Sequence, residues 1–94
     1  MEDESIVRWH IYFSGEVQAV GFRFTAMNIA HSLGITGWVK NLPDGRVEME
    51  AQGSKAQLMD LMVGLKTHPP IYIEDYHIQQ ISPKEDVGQF RITG

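Results

Sequence analysis

The chain contains no cysteine. Disulfides, thiolate nucleophiles and metal sites built on sulfur are therefore excluded. No apolar run approaches the ~18 residues of a membrane span. The first residues, MEDES, lack the basic and apolar regions of a signal peptide. These absences point to a soluble, cytoplasmic protein with no membrane partner. Basic residues are few and scattered, eight Lys and Arg against twelve Asp and Glu, for a net charge of −4. A nucleic-acid footprint needs a basic face, so no nucleic-acid partner is expected. An anionic substrate must then be held by local dipoles and one or two well-placed cations, because the global field does not help. There is no internal repeat, low-complexity segment or linker. Ninety-four residues with an apolar share of 43% make one domain, residues 1–94, around a single core. Residues 1–5 read as a tail, and nothing demands more than a monomer.

What is present begins with a strand. Val7, Trp9, Ile11 and Phe13 alternate with Arg8, His10, Tyr12 and Ser14. That period of two predicts a half-buried strand ending at Gly15. From Phe22 the period changes. Phe22, Ala26, Ile29, Ala30 and Leu33 form one apolar stripe, Arg23 and Asn28 lie off it, and Gly34 stands where a C-terminal cap belongs. A helix over residues 22–33 is expected. A second strand spans 35–42. A third carries Val47, Met49 and Ala51 inward, with Glu48 and Glu50 on a solvated face and not forming a carboxylate dyad. Leu42-Pro43-Asp44-Gly45 between them is a hairpin turn. Gln52-Gly53 breaks the pattern, and Ser54 with Gln57 is a capping-box signature. Leu58, Leu61, Met62 and Leu65 mark a second helix, with Met59 and Met62 as core filler, stopping before Pro69-Pro70. A fourth strand over 73–81 directs Tyr76 and Ile78 inward. A polar turn over 82–88 precedes a short last strand at Phe90 and Ile92. The order β-α-β-β-α-β with an extra terminal strand predicts a split βαβ fold: α+β, with both helices on one face of a mainly antiparallel sheet.

The stretch GEVQAVGFRF, residues 15–24, joins the first strand to the first helix. Its glycines have a plain reading as a turn that needs positive φ. The loop is longer than a simple connection requires, and Val17 and Val20 let it pack tightly while its amides point outward together. Amides at the head of a helix form a site for a phosphate-sized anion. Arg23 in the first helical turn opposes the helix dipole, which favours anions there by about 0.3–1 kcal/mol. A bound phosphate would compensate, since a guanidinium takes two phosphate oxygens side by side. Asn41 reads first as a turn residue before Pro43-Asp44-Gly45. The alternative is that its amide, both donor and acceptor, orients a water molecule. His10, His31, His68 and His77 fall on different elements without ligand spacing, so no metal site is expected. The serines lack a nucleophile motif. Trp9 and Trp38 suit sheet packing better than base stacking.

Taken together, GEVQAVGFRF, GWVKNLPDG and RVEMEAQG resemble the acylphosphatase family, whose pattern is G-x-V-Q-G-V-G-F-R, then G-W-V-x-N, then D-G-x-V-E. The match spans residues 7–53, and the terminal F-R-I strand also fits. The resemblance implies a ferredoxin-like fold. It also implies hydrolysis of acyl phosphates to carboxylate and inorganic phosphate by in-line water attack, without metal or cofactor. By the same resemblance Arg23 binds the phosphate and Asn41 positions the attacking water. The loop Gly15-Glu16-Val17-Gln18-Ala19-Val20-Gly21 cradles the phosphoryl oxygens. One residue departs from the family pattern: Ala19 stands where glycine is usual. If that position needs positive φ, alanine costs about 1 kcal/mol.

The rival class is a non-catalytic phosphate- or ligand-binding module of the same fold. Gly21-Phe22-Arg23-Phe24 loosely echoes an aromatic RNA-binding signature, but that signature belongs on a central strand and not at a helix start. A similar domain also occurs in the hydrogenase-maturation carbamoyltransferase family, fused to zinc-finger and transferase regions. This chain has one domain, so a stand-alone enzyme is expected.

Overall fold

A computed structural model describes residues 5–85 and 88–94. The expected tail lies outside the described residues except for Ser5, as do positions 86 and 87 of the expected turn. The elements are β1 (Ile6–Glu16), α1 (Phe22–Leu33), β2 (Thr36–Asn41), β3 (Val47–Ser54), α2 (Lys55–Lys66), β4 (Tyr72–Ile81) and β5 (Arg91–Ile92). The strands form one sheet in the order β4-β1-β3-β2-β5. All pairings are antiparallel except β2 with β5. This is the expected ferredoxin-like α+β arrangement with its additional edge strand.

The core lies between the sheet and the two helices. Trp9, Ile11 and Phe13 of β1 and Val47, Met49 and Ala51 of β3 are buried on the helix-facing side. Phe22, Ala26 and Ala30 of α1 and Leu58, Leu61 and Leu65 of α2 cover them. The Phe13 and Phe22 rings meet at 4.9 Å and 58°, a favourable tilted pair that ties the start of α1 to β1. The capping box forms as expected. The Ser54 hydroxyl accepts from the Gln57 amide, and the Gln57 side chain accepts from the Ser54 N–H. Among the described residues no helix is long and apolar enough to cross a membrane.

Several expectations are corrected. Strand β1 does not end at Gly15 but runs on to Glu16, with a bulge between Ser14 and Gly15 where its pairing with β4 shifts. Gly15 has a φ of 123°, and a Cβ there would lie 2.5 Å from the Tyr72 carbonyl oxygen, so only glycine allows the strands to stay paired. Likewise β3 continues through Gln52-Gly53 to Ser54, because β1 pairs with it along that whole length. Tyr76 does face the helix side, opposite Phe13, but β4 is an edge strand and Tyr76 stays 43% exposed with Lys66 over its ring. Met59 is exposed beside the buried Met62.

The outer face of the sheet also differs from a solvated one. Glu50 is buried and accepts from Arg8 Nε at 2.7 Å and from Lys84 Nζ at 3.1 Å. Arg8 itself is 2% exposed. Burial follows because Lys84 folds across this face, its backbone N–H and C=O paired with the Gln52 side chain. A buried ion pair adds little net stability, but removing one partner costs about 3–5 kcal/mol. Glu48 is half-buried, with His10 Nε2 at 2.7 Å and the Tyr12 hydroxyl donating at 3.3 Å.

Candidate active site

Strands β1 and β2 are both antiparallel to β3, so they run in the same direction. Their C-terminal ends therefore lie at the same edge of the sheet. The loop leaving β1, the start of α1 and the end of β2 converge there, as does β5 beside β2. This topology brings positions 23 and 41 together.

The loop between β1 and α1 is fastened from two directions. Val17 is buried in the core, and Val20 packs against it. From the other side, the Gln18 amide Nε2 donates to the carbonyls of Leu42 and Arg46, at 2.8 and 2.9 Å. Those carbonyls belong to the mouth of the β2–β3 hairpin, closed by Leu42 N–H to the Arg46 carbonyl at 2.8 Å. A primary amide suits this position because its two N–H groups can serve two acceptors.

Two residues of the loop adopt left-handed backbone. Ala19 has a φ of 61°. Gly21 has φ 80° and ψ 17° and caps α1 without a side-chain hydrogen bond, and the first turn of α1 carries no acidic residue. The first N–H groups of a helix have no intrahelical acceptor. Here no side chain caps them, and the positive end of the helix dipole would suit an anion.

Arg23 extends from that first turn, and its Nη1 donates to the Gly94 main-chain oxygen at 2.7 Å. The same oxygen accepts the Asn41 backbone N–H at 3.0 Å. The C-terminal segment thus holds Arg23 and Asn41 against each other. It is fixed in turn by the Thr93 N–H to the Val39 carbonyl at 2.9 Å, by the His31 Nε2 contact with the Phe90 carbonyl at 2.9 Å, and by the burial of Phe90. The Asn41 side chain is unusual. Its Oδ1 is buried and has no hydrogen-bond partner among the described residues. Burying an unpaired acceptor costs about 1–3 kcal/mol. A buried polar atom without a partner marks Asn41 as a candidate site residue.

These groups line a cleft of about 240 Å³. Of the residues expected from sequence, Val17, Ala19, Gly21, Arg23 and Asn41 line it. Gly15 and Glu16 belong to the bulged end of β1, while Gln18 and Val20 hold the loop in place. The plain reading of Asn41 as a turn residue is incomplete, since it ends β2 and lines the cleft. Phe24, Ile92 and Gly94 were missed. Ile92 reads from sequence only as a residue of the last strand, and Phe24 only as the end of the glycine-loop stretch. The role of Gly94 rests on a backbone oxygen, which leaves no signal in the sequence. Among the described residues no group of three or more His, Asp or Glu side chains is placed to hold a metal ion.

A profile of the acylphosphatase family matches residues 9–92. The chain belongs to the acylphosphatase family. An acylphosphatase of Marinobacter nauticus is 39% identical over 90 residues, covering 95% of this chain and 98% of its own length. The crystal structure of an acylphosphatase from Bacillus subtilis superposes with a TM-score of 0.86 at 31% identity, covering 94% of this chain and 99% of that one. Full-length HypF, in a phosphate- and nucleotide-bound form, contains a similar region with a TM-score of 0.84 at 26% identity, and this chain spans 12% of it. The likeness to the acylphosphatase family thus extends over nearly the whole chain.

Proposed function

We propose that this acylphosphatase-family enzyme hydrolyses the carboxyl–phosphate bond of acyl phosphates by direct in-line attack of water. One observation carries the reading. Arg23, in the first turn of a helix whose N-terminus has no side-chain cap, and Asn41, whose buried Oδ1 has no donor among the described residues, line one cleft. The first suits a phosphoryl group and the second suits a water molecule. The non-catalytic binding module is not favoured, because a phosphate site alone has no use for the second.

In this reading the phosphoryl oxygens sit against the amides of the loop over 17–21 and the first turn of α1. The Arg23 fork has five N–H donors, so the bond to Gly94 leaves others to meet the phosphate. Asn41 Oδ1 accepts one hydrogen of the attacking water and aims its lone pair at phosphorus. The new P–O bond forms from that water while the acyl P–O bond breaks. The bond's electron pair leaves on the carboxylate, and the water proton passes to a phosphoryl oxygen. A carboxylate has a conjugate-acid pKa near about 4, so it departs at neutral pH without a general acid. The transition state of phosphoryl transfer spreads charge over the equatorial oxygens, and fixed donors stabilise it. Holding the water removes part of the entropic barrier. Neither a metal nor a cofactor enters this scheme. We also read residues 1–94 as a single domain acting as a cytoplasmic monomer, without a nucleic-acid or membrane partner. Its acidic balance and scattered basic residues count against a nucleic-acid partner.

The test is hydrolysis of benzoyl phosphate in the presence of a chelator. The wild-type protein should turn over. Arg23→Gln should lose about 10³-fold or more in kcat/KM and should bind inorganic phosphate weakly. Asn41→Ala should lose about 10²-fold in kcat while its inhibition by phosphate changes little. Unchanged turnover in Asn41→Ala would return that residue to a structural role. No turnover in a folded wild-type protein would overturn the assignment.

A further inference from the structure

Every acyl phosphate presents the same phosphate, so Arg23 and the loop amides cannot tell one from another. Discrimination must come from the part of the cleft that meets the acyl group. Besides Arg23, no charged residue among the described residues lines the cleft. Its remaining side is apolar, and two of those residues are unexpectedly exposed.

Phe24 follows Arg23 in the first turn of α1 and is 65% exposed, although it lines the cleft. Its neighbour Phe22 points into the core, which turns Phe24 away from it. Among the described residues no aromatic ring packs on Phe24. Helix propensity does not explain the residue either, since lysine, glutamate or arginine suits an exposed helical position better. Ile92, 37% exposed, lines the same cleft from β5. It pairs in register with Val39, two residues before Asn41. A solitary exposed apolar residue needs no explanation. Two on different elements, both bordering the groups proposed to hold phosphate and water, form an apolar rim where the acyl group would leave the phosphate.

We infer that Phe24 and Ile92 are specificity-determining residues that bind the acyl group, and that the preferred substrates carry an uncharged aromatic or bulky apolar acyl group. This rests on the hydrolytic reading given above. A methyl group is too small to cover both side chains. A second carboxylate on the acyl group would meet apolar surface and, among the described residues, no further cation in the cleft.

The experiment compares kcat/KM for benzoyl, acetyl and succinyl phosphates, each relative to its uncatalysed rate, in the wild type, Phe24→Ala, Phe24→Leu and Ile92→Thr. Circular dichroism and the thermal midpoint verify folding, which the exposed positions should not disturb. Wild type should favour benzoyl phosphate. An aromatic pair contributes about 0.5–1.5 kcal/mol beyond its buried area. At 1.36 kcal/mol per tenfold, the benzoyl-to-acetyl ratio should fall about 2- to 12-fold in Phe24→Ala, mainly through KM. Phe24→Leu should retain part of the preference, and Ile92→Thr should lower it. Inhibition by inorganic phosphate should stay within about twofold, because the backbone N–H groups remain. A wild-type preference for acetyl or succinyl phosphate overturns the inference. So does an unchanged ratio in both Phe24→Ala and Ile92→Thr, even while hydrolysis itself stands. A wild type that hydrolyses none of the three overturns the hydrolytic reading and this inference with it.

Discussion

Replacing Ala19 by glycine should make this protein more stable. An L-residue in left-handed backbone brings Cβ against the following carbonyl, at about 1–2 kcal/mol. Ala19, with φ at 61°, bears that strain. Glycine removes it but enlarges the conformational freedom of the unfolded chain, which costs about 0.4–1 kcal/mol. The methyl group is exposed, so little apolar burial is lost with it. The difference leaves a gain of about 0.5–1 kcal/mol. For a domain of 94 residues the thermal midpoint moves about 4–8 °C per kcal/mol, so it should rise about 2–8 °C. Ala19 also lines the cleft, and its loss widens the space where a phosphate would sit. Inorganic phosphate should therefore inhibit Ala19→Gly at least as strongly as the wild type. Ala19→Val should go the other way, because a β-branched residue tolerates positive φ poorly. Calorimetry of the three proteins at one pH checks the order. If glycine lowers the midpoint and valine leaves it unchanged, backbone strain at this position is not what the geometry indicates.

Gln18→Glu should be more damaging than Gln18→Ala. A carboxylate cannot donate to the Leu42 and Arg46 carbonyls and would face them with negative charge. Gln18→Ala should cost about 1–2 kcal/mol and weaken phosphate inhibition, both readable from denaturant melts and competition assays; equal effects of the two substitutions would count against the clamp. Deleting Gly94 should raise KM and lower kcat, since Arg23 and the Asn41 backbone both lose an acceptor. Wild-type kinetics in that variant would show that Arg23 needs no such support. For Glu50, burial raises the carboxyl, but the hydrogen bonds from Arg8 and Lys84 prevail and hold it below its usual range. A depressed folded-state pKa contributes stability above the unfolded value of about 4.3, and that stability is lost as pH falls through the depressed value. Melting temperature should therefore drop on acidification below about pH 4.5, and Glu50→Gln should flatten that slope. An equally steep acid limb in the variant would assign it to other carboxylates.

Much of the fold was legible because its signals are local. The stripe from Phe22 to Leu33 and the alternation from Val7 to Phe13 each reflect one element's own geometry, and both elements are present. The Ser54–Gln57 capping box is closed within four residues, and it formed as read. Errors arose where a partner elsewhere in the chain overrides the local pattern. Gly15 and Gly53 look like strand breakers, yet β4 and β3 hold β1 paired across them. Tyr76 has the periodicity of an inward residue, but β4 lies at the sheet edge, where α2 only partly covers it. Glu50 has the alternation of a solvated residue, but Lys84 crosses the outer face above it.

The same division holds for the cleft. Local sequence was enough to place a glycine-bounded loop at the head of a helix with a cation in its first turn, because these features depend only on neighbours along the chain. Three things depended on the assembled sheet. Arg23 and Asn41 meet because β1 and β2 flank β3 and end at the same edge. Gly94 joins them because β5 pairs parallel with β2 and carries the chain past Asn41. The orphaned Asn41 oxygen exists only once the surrounding elements bury it. Side-chain identity is written in the sequence, but burial, strand order and the direction of a backbone oxygen are properties of pairing between distant segments.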